Sequence, residues 1–418
     1  MQKIMSVLSV VFSVTAIVYV GIALLNLDTE EPPPEVQAAA LPRAPSENCV
    51  AAPPLPEVER DNGAIRVLDI DSVEALHEAM NDLRANTVLL LEPGRYDLKK
   101  TLSVEVDNIT IRGNSTRCDD VALVGKGMDD VSGDGLIPHG IWTNARNLKV
   151  QNLSIRDVYR HAIAFDGHAM TPELYNLALI DSGEQFVKVN PLDFGKGVDK
   201  GRVEYSLIRY SDGPAKTNHG SGTGYTNGID IHAGNGWVIA NNTFRDIHVP
   251  DDSDHLWNPA ILAWNGASNT VVENNRFHNV DRAIAFGLEN REEDHRGGSI
   301  KYNMIALDAD LFSNKRRATA DAQILLWSSP DTMIENNSIV TRGNSKNAIE
   351  LRFNSDGAWI TRNILDAAIS DRDSSVVTIR DNERVDSLSY FIDPSEADLR
   401  LVDNAPKKYQ GLGADAPR

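Results

Sequence analysis

Short apolar runs, each interrupted by a polar pair, recur along most of this chain. The first, TVLLLEPGRYDL at 87–98, is an apolar stretch, a Pro-Gly turn and a second strand. DNITIRG follows at 107–113. From there one frame repeats: apolar, any residue, a polar anchor, two residues, apolar. It reads VQNLSI, LYNLAL, VEYSLI, IANNTF, VENNRF, IKYNMI, IENNSI and ITRNIL, with anchors Asn152, Asn176, Tyr205, Asn241, Asn274, Tyr302, Asn336 and Arg362. The anchor spacings are 24, 29, 36, 33, 28, 34 and 26 residues. A second strand follows each frame: AIAF, FVKV, GIDI, AILA, AIAF, QILL, AIEL and VVTI.

One such rung cannot bury its apolar side alone. Stacked rungs can, and their Asn side chains can ladder from one rung to the next. The pattern predicts an all-β chain wound as a parallel β-helix solenoid. A propeller blade repeats at about 40 residues or more, too long for spacings of 24 and 26. The ends of such a stack are open edges that need covers. At the N-terminal end, Asp71–Arg84 predicts a capping helix, with Asp71 as N-cap, Glu74 three residues on, and Val73, Leu76, Met80 and Leu83 at helical spacing. SYFIDPSEADLRLVDNAP is the expected cover of the other end.

The entry segment (a short helix, LLLEPGRYDL, NITIRG), the Asn-pair rungs and the FIDPSEADLRL ending resemble bacterial, exported members of the pectate-lyase-like superfamily. The resemblance spans about residue 65 to the end. It implies a right-handed parallel β-helix and raises the expectation of polysaccharide chemistry. Lyases, hydrolases, epimerases and non-catalytic proteins all share that fold, so it fixes no reaction.

Alternate strand residues face opposite ways. With the apolar positions inward, the outward pairs are Ala164 and Asp166, Lys188 and Asn190, Asp230 and His232, Leu262 and Trp264, Ala285 and Gly287, Leu325 and Trp327, Glu350 and Arg352, Thr378 and Arg380. Stacked in register, they form one face on which Asp230 and His232 stand between Lys188 and Trp264. Cleavage of a uronate polymer by β-elimination needs a group that neutralises the carboxylate, a base for the C5 proton and an acid for the leaving oxygen. Lys188 and His232 suit the acid and base, Arg209 or Asn190 the carboxylate, and Asp230 the orienting partner. Trp264 and Trp257 are candidate sugar platforms. Eight of the ten histidines lie between 161 and 295, which suits a cleft on the middle rungs and adds His168 to the candidate binding residues.

Other chemistry is weaker. The loop HVPDDSDHLWNP carries Asp251, Asp252, Asp254 and His255, oxygen-rich enough for Ca2+ but at no established spacing. Hydrolases of this fold use clustered aspartates with a downstream His-Gly. Here His219-Gly220 precedes Asp251-Asp252, and the Asp-Pro-His-Asp of uronate epimerases is absent. A hydrolase built on Asp230 with Asp251 or Asp252 and a non-catalytic glycan-binding or envelope protein remain the alternatives. There is no CxxC and no phosphate loop.

Composition adds three points. The net charge of -19 argues against nucleic acid, and an acidic polymer would need a local basic patch or a bridging cation. Ile4–Leu25 carries no charge, with Lys3 before it and Asp28, Glu30 and Glu31 after. That predicts a membrane anchor over 1–25 with the rest outside the cytoplasm (periplasmic), or a cleaved signal that would release a secreted protein. Eight of the 19 prolines fall in 26–60, an extended linker ahead of one β-helix domain over 61–418. Cys49 and Cys118 can pair in an exported protein and would tie the chain's start to its body. A monomer is expected to suffice.

Overall fold

The computed structural model describes residues 49–60, 63–129, 137–219, 222–253 and 258–416. The expected anchor, most of the linker and Trp257 lie outside these residues. Among the described residues no helix is long and apolar enough to cross a membrane.

The chain is a parallel β-helix. Strands pair in parallel with strands one turn later, in one sheet of 21 strands and a second of ten. The large sheet is two runs that share the long strands Lys149–Val158 and Glu173–Ser182. One run continues through Val238–Ala240 and Val271–Glu273, the other through Thr243–Arg245 and Arg276–His278. The ten-stranded sheet runs from Leu102–Val104 to Ala368–Asp371. Each repeated frame therefore bends from one run to the other, and the strand after it joins the ten-stranded sheet.

The bend explains the anchors. All eight sit at left-handed backbone, with φ between 51° and 60°. Asn enters that region more readily than most residues, because its short polar side chain can bond locally. The expected ladder is displaced by one residue. Asn242, Asn275, Asn303, Asn337, Asn363 and Asn382, each next to an anchor or bend residue, form it. Each of the first five donates from Nδ2 to Oδ1 of the next at 2.8–3.0 Å, and that same oxygen accepts the donor residue's backbone N–H. On the earlier rungs the anchors themselves pair, Asn176 Nδ2 donating to Asn152 Oδ1 at 2.9 Å.

Between the sheets the inward columns are fully buried: Ile163, Val187, Ile229, Ile261, Ile284, Ile324 and Ile349 in one, Phe165, Val189, Ile231, Ala263, Phe286, Leu326 and Leu351 in the other. Each large side chain there contributes about 1.5–3 kcal/mol of burial. The capping helix is Val73–Asn81, shorter than expected, and its cap is Ser72, whose hydroxyl accepts from Ala75 N at 3.2 Å. Asp71 lies outside it. The C-terminal stretch does not cover the end of the stack. Its antiparallel pair, Phe391–Asp393 and Asp398–Leu401, packs with Tyr409 on Ala306, Val340 and Ile364, on the outer side of the large sheet.

Cys49 and Cys118 form a disulfide. The segment after Cys49 is held further by Tyr175 donating to Pro53 O, Arg112 to Pro56 O, and Arg60 paired with Asp69. The tail of the Pro-rich stretch is thus strapped to the body although it forms no strand.

Asn337→Ala leaves buried partners of Asn303 and Asn363 unsatisfied and is expected to cost about 2–3 kcal/mol. Asn336→Gly keeps the left-handed bend and is expected to cost much less. Urea unfolding of the two variants checks the order; equal losses would return the ladder to the anchors.

Candidate functional site

Register decides what the outer face of the ten-stranded sheet presents. Val187–Val189 pairs with Ile229–His232, setting Lys188 opposite Asp230; Ile229–His232 pairs with Pro259–Trp264, setting His232 opposite Trp264. The face continues through Leu262, Ala285, Leu325 and Glu350. The last outward pair was misplaced: Thr378–Arg380 belongs to the large sheet, and Ala368–Asp371 is the final strand of this one.

Lys188, Asp230 and His232 converge. Lys188 Nζ donates to Asp230 Oδ2 at 2.6 Å and lies 2.9 Å from His232 Nε2. His232 Nε2 stands 3.3 Å from the same carboxylate oxygen. Trp264 Nε1 donates to Asp230 Oδ1 at 2.9 Å, and its rings meet His232 at 4.5 Å between centroids. The Asp230 side chain is 2% exposed; those of Lys188 and His232 are 15% exposed. Burial alone would push the Asp230 carboxyl up. The Lys188 ammonium, then His232, outweigh it and hold the group well below the usual carboxylate range. Asp230 is therefore a fixed negative charge under two nitrogen bases.

His232 Nε2 cannot accept from Lys188 and donate to Asp230 at once. With Lys188 charged, its ammonium donates to the Nε2 lone pair across 2.9 Å. Asn190 follows Lys188 on the same face; one amide hydrogen goes to Phe165 O at 3.0 Å, leaving the other and the carbonyl for a ligand.

Other expectations fare differently. Arg209 is not here. It lies in Leu207–Arg209, a strand of the large sheet paired with Thr243–Arg245, and lines a separate groove with Arg245, Arg276 and the Cys49 segment. An odd or even count along one strand cannot show that the chain has turned a corner. His168 is exposed and bound at Nδ1 to Asp166 Oδ1 at 2.6 Å, at the rim rather than in the cluster. Of the calcium candidates, Asp251 and Asp252 are described and Asp254 and His255 are not; Asp251 lies 3.7 Å from the Arg316 guanidinium. Among the described residues no group of three or more His, Cys, Asp or Glu is placed to hold a metal.

The structure adds residues with no mark in the sequence. Glu184, just before the Lys188 strand, sits between Arg160 at 3.5 Å and His161 at 3.8 Å. Burial raises its carboxyl, against the pull of Arg160 and Lys188. Tyr225 is held protonated by burial and by the carboxylates of Asp230 and Glu184. Their signal was position alone: both precede strands of the face by a few residues. His139 and His161 stack at 5.1 Å behind them. Burial lowers His139 to about 4 and His161 to about 3, so both are neutral under ordinary conditions.

The sequence matches no protein-family model and no curated protein. Solved structures that resemble it include an alginate lyase from Paenibacillus sp. str. FPU-7, at 16% identity over 77% of this chain and 96% of that one, TM-score 0.49. PfbA, a surface adhesin of Streptococcus pneumoniae, is 14% identical over 75% and 86%, TM-score 0.49. The GH136 lacto-N-biosidase from Eubacterium ramulus is 14% identical over 76% and 67%, TM-score 0.47. These likenesses concern the path of the chain alone.

A histidine with a lowered folded pKa binds its proton more readily when unfolded, so stability falls as pH drops from 6.5 towards the folded value. Melting temperature is expected to fall between about pH 6.5 and 4. His161→Gln should make that slope shallower; thermal scans across the range with an unaltered slope would show that His161 is not a source.

Proposed function

We propose that this protein binds an acidic polysaccharide on the outer face of the ten-stranded sheet and cleaves it by β-elimination at Lys188, Asp230 and His232. The supporting observation is the convergence of two bases on one buried carboxylate, from two neighbouring rungs, beside an indole. A buried carboxylate held down by a charge partner, on a face with two nitrogen bases at its surface, is the kind of arrangement found at functional sites.

In this reading Asn190 holds the uronate carboxylate, and the third hydrogen of the Lys188 ammonium, beyond those on Asp230 and His232, faces the glycosidic oxygen. Lys188 gives its proton to the glycosidic oxygen, which frees Nε2 of His232 to take the proton from C5. The C5–H electron pair becomes the C4=C5 double bond, and the C4–O pair leaves with the protonated oxygen. The proton on His232 then returns to Lys188 through their 2.9 Å contact. Asp230 keeps the pair positively charged, and Trp264 orients Asp230 as well as offering its ring to the sugar. The hydrolase alternative on Asp230 is disfavoured, because both its oxygens are occupied and it lies beneath the surface. No group among the described residues is placed to hold a metal, and Asp251 faces the Arg316 guanidinium, so calcium enters only as a variable of the test.

We also propose that residues 1–25 tether the body outside the cytoplasm. The Cys49–Cys118 bond suits an oxidising compartment.

The test is incubation with acidic and neutral polysaccharides, with and without calcium, following unsaturated-uronate absorbance and reducing ends together. Both signals should rise on one acidic polymer, and Lys188→Ala and His232→Ala should each lower kcat by roughly 10²–10⁴-fold. Reducing ends without absorbance would establish a hydrolase instead. Full turnover by both variants would remove the assignment, and saturable binding with neither signal would make this a carbohydrate-binding protein.

A further inference from the structure

The same face continues well beyond Lys188 and His232, and it changes character as it goes. One column reads Asp230, Leu262, Ala285, Leu325, Glu350; the other reads His232, Trp264, Gly287, Trp327, Arg352. Leu262, Ala285 and Leu325 are buried together under Trp264, Leu288 and Trp327. Between the two indoles stands Gly287, at φ 76°, where a Cβ would lie 1.7 Å from Trp327 O. No side chain can stand on Gly287 itself, so the surface between the two rings is the apolar one made by Leu288 with the buried leucines, and the Arg282 guanidinium lies 5.5 Å from the centre of the Trp327 ring.

At the far end the charge returns. The Arg352 guanidinium lies over Trp327 at 4.8 Å and over Phe353 at 4.5 Å. No carboxylate is within ion-pair distance of it among the described residues, although Arg282, Arg291, Arg296 and Arg372 nearby each have one. Its neighbour Glu350 is 3% exposed and engaged by Arg372 at 3.5 Å. The two rings stand 82° apart with centroids 5.9 Å from each other, so the guanidinium lies against both rather than between parallel faces; its planar fork is the group that takes a carboxylate in two parallel hydrogen bonds.

We infer that Arg352, walled by Trp327 and Phe353, is a second carboxylate subsite for the same polymer, which therefore lies along the solenoid axis. This rests on the uronate reading above and extends it to how the chain is held. Four strand spacings separate His232 from Arg352, roughly 19 Å at about 4.8 Å each. A disaccharide at Lys188 is too short to reach Arg352, whereas a hexasaccharide spans both. The apolar interval between the tryptophans takes the faces of the sugars between them.

The experiment is calorimetric titration of the full-length chain with alginate and pectate dimers and hexamers, and with a neutral glucan hexamer. Wild type, Arg352→Ala and Arg352→Lys are compared, with circular dichroism confirming folding. Loss of one charge-assisted pair should weaken the acidic hexamer about tenfold or more in Arg352→Ala, with partial recovery in Arg352→Lys. The dimer should bind all three proteins equally, and on polymer KM should rise while kcat holds. Equal weakening of dimer and hexamer, or none of either, would overturn the subsite while leaving cleavage at Lys188 intact. Wild type that prefers the neutral hexamer, or binds none of the probes, would overturn both the subsite and the uronate reading.

Discussion

Every strand of this protein takes its partners from a turn of chain before and a turn after, so register between turns is the constraint on which everything else rests. Parallel partners here are separated by 19 to 42 residues, and no hairpin sets their alignment. Alignment must be written into each rung. The inward aliphatic columns write it once, and from Asn242 onward the Asn after each bend residue writes it again through a bond to the same atom one turn on. Because side chains alternate with a period of two, a slip of one residue would turn Lys188 and Asp230 inward and their apolar neighbours to water. The chemistry of the face is a consequence of that register rather than a separate feature.

The site shows how a solenoid manages charge. Asp230 is a buried carboxylate, and an unpaired one would be costly. It is made tolerable by an ammonium from the rung before and an indole N–H from the rung after, so three consecutive turns must be in place before the group is satisfied. The same arrangement brings two nitrogen bases within 2.9 Å of each other. Positioning and electrostatics are supplied by one set of bonds, which makes Trp264 a structural partner of Asp230 as much as a surface for a ligand.

Much of this was legible in the sequence, and the limits have physical causes. Period-two alternation placed Lys188, Asp230, His232 and Trp264 on one face, because that rule is local and strict. The anchors recur in the sequence because the left-handed bends they occupy favour particular residues, although the pattern itself showed only their recurrence and not the bend. Arg209 was assigned wrongly, since its distance from Lys188 depends on a corner of the backbone that leaves no periodic trace. The ladder was shifted by a residue for a related reason: in a pair such as Asn241-Asn242, composition does not say which one bends and which one bonds. Glu184 and Tyr225 act through burial and through neighbours distant in sequence, which no local pattern carries. Thr378–Arg380 was misplaced because the last rungs carry shorter and less regular strands.

The bond between Cys49 and Cys118 changes how the body would bear load. Without it, a pull on the chain ahead of Cys49 would reach the first strand, Arg66–Ile70, and open the stack one pair at a time from its end. With it, the pull arrives at Cys118, in the turn before Val121–Val124, already several strands into the stack. Force then spreads across neighbouring turns that must yield together. Closing that covalent loop also makes the first strands and the capping helix a mechanically shielded segment, protected from traction applied ahead of Cys49.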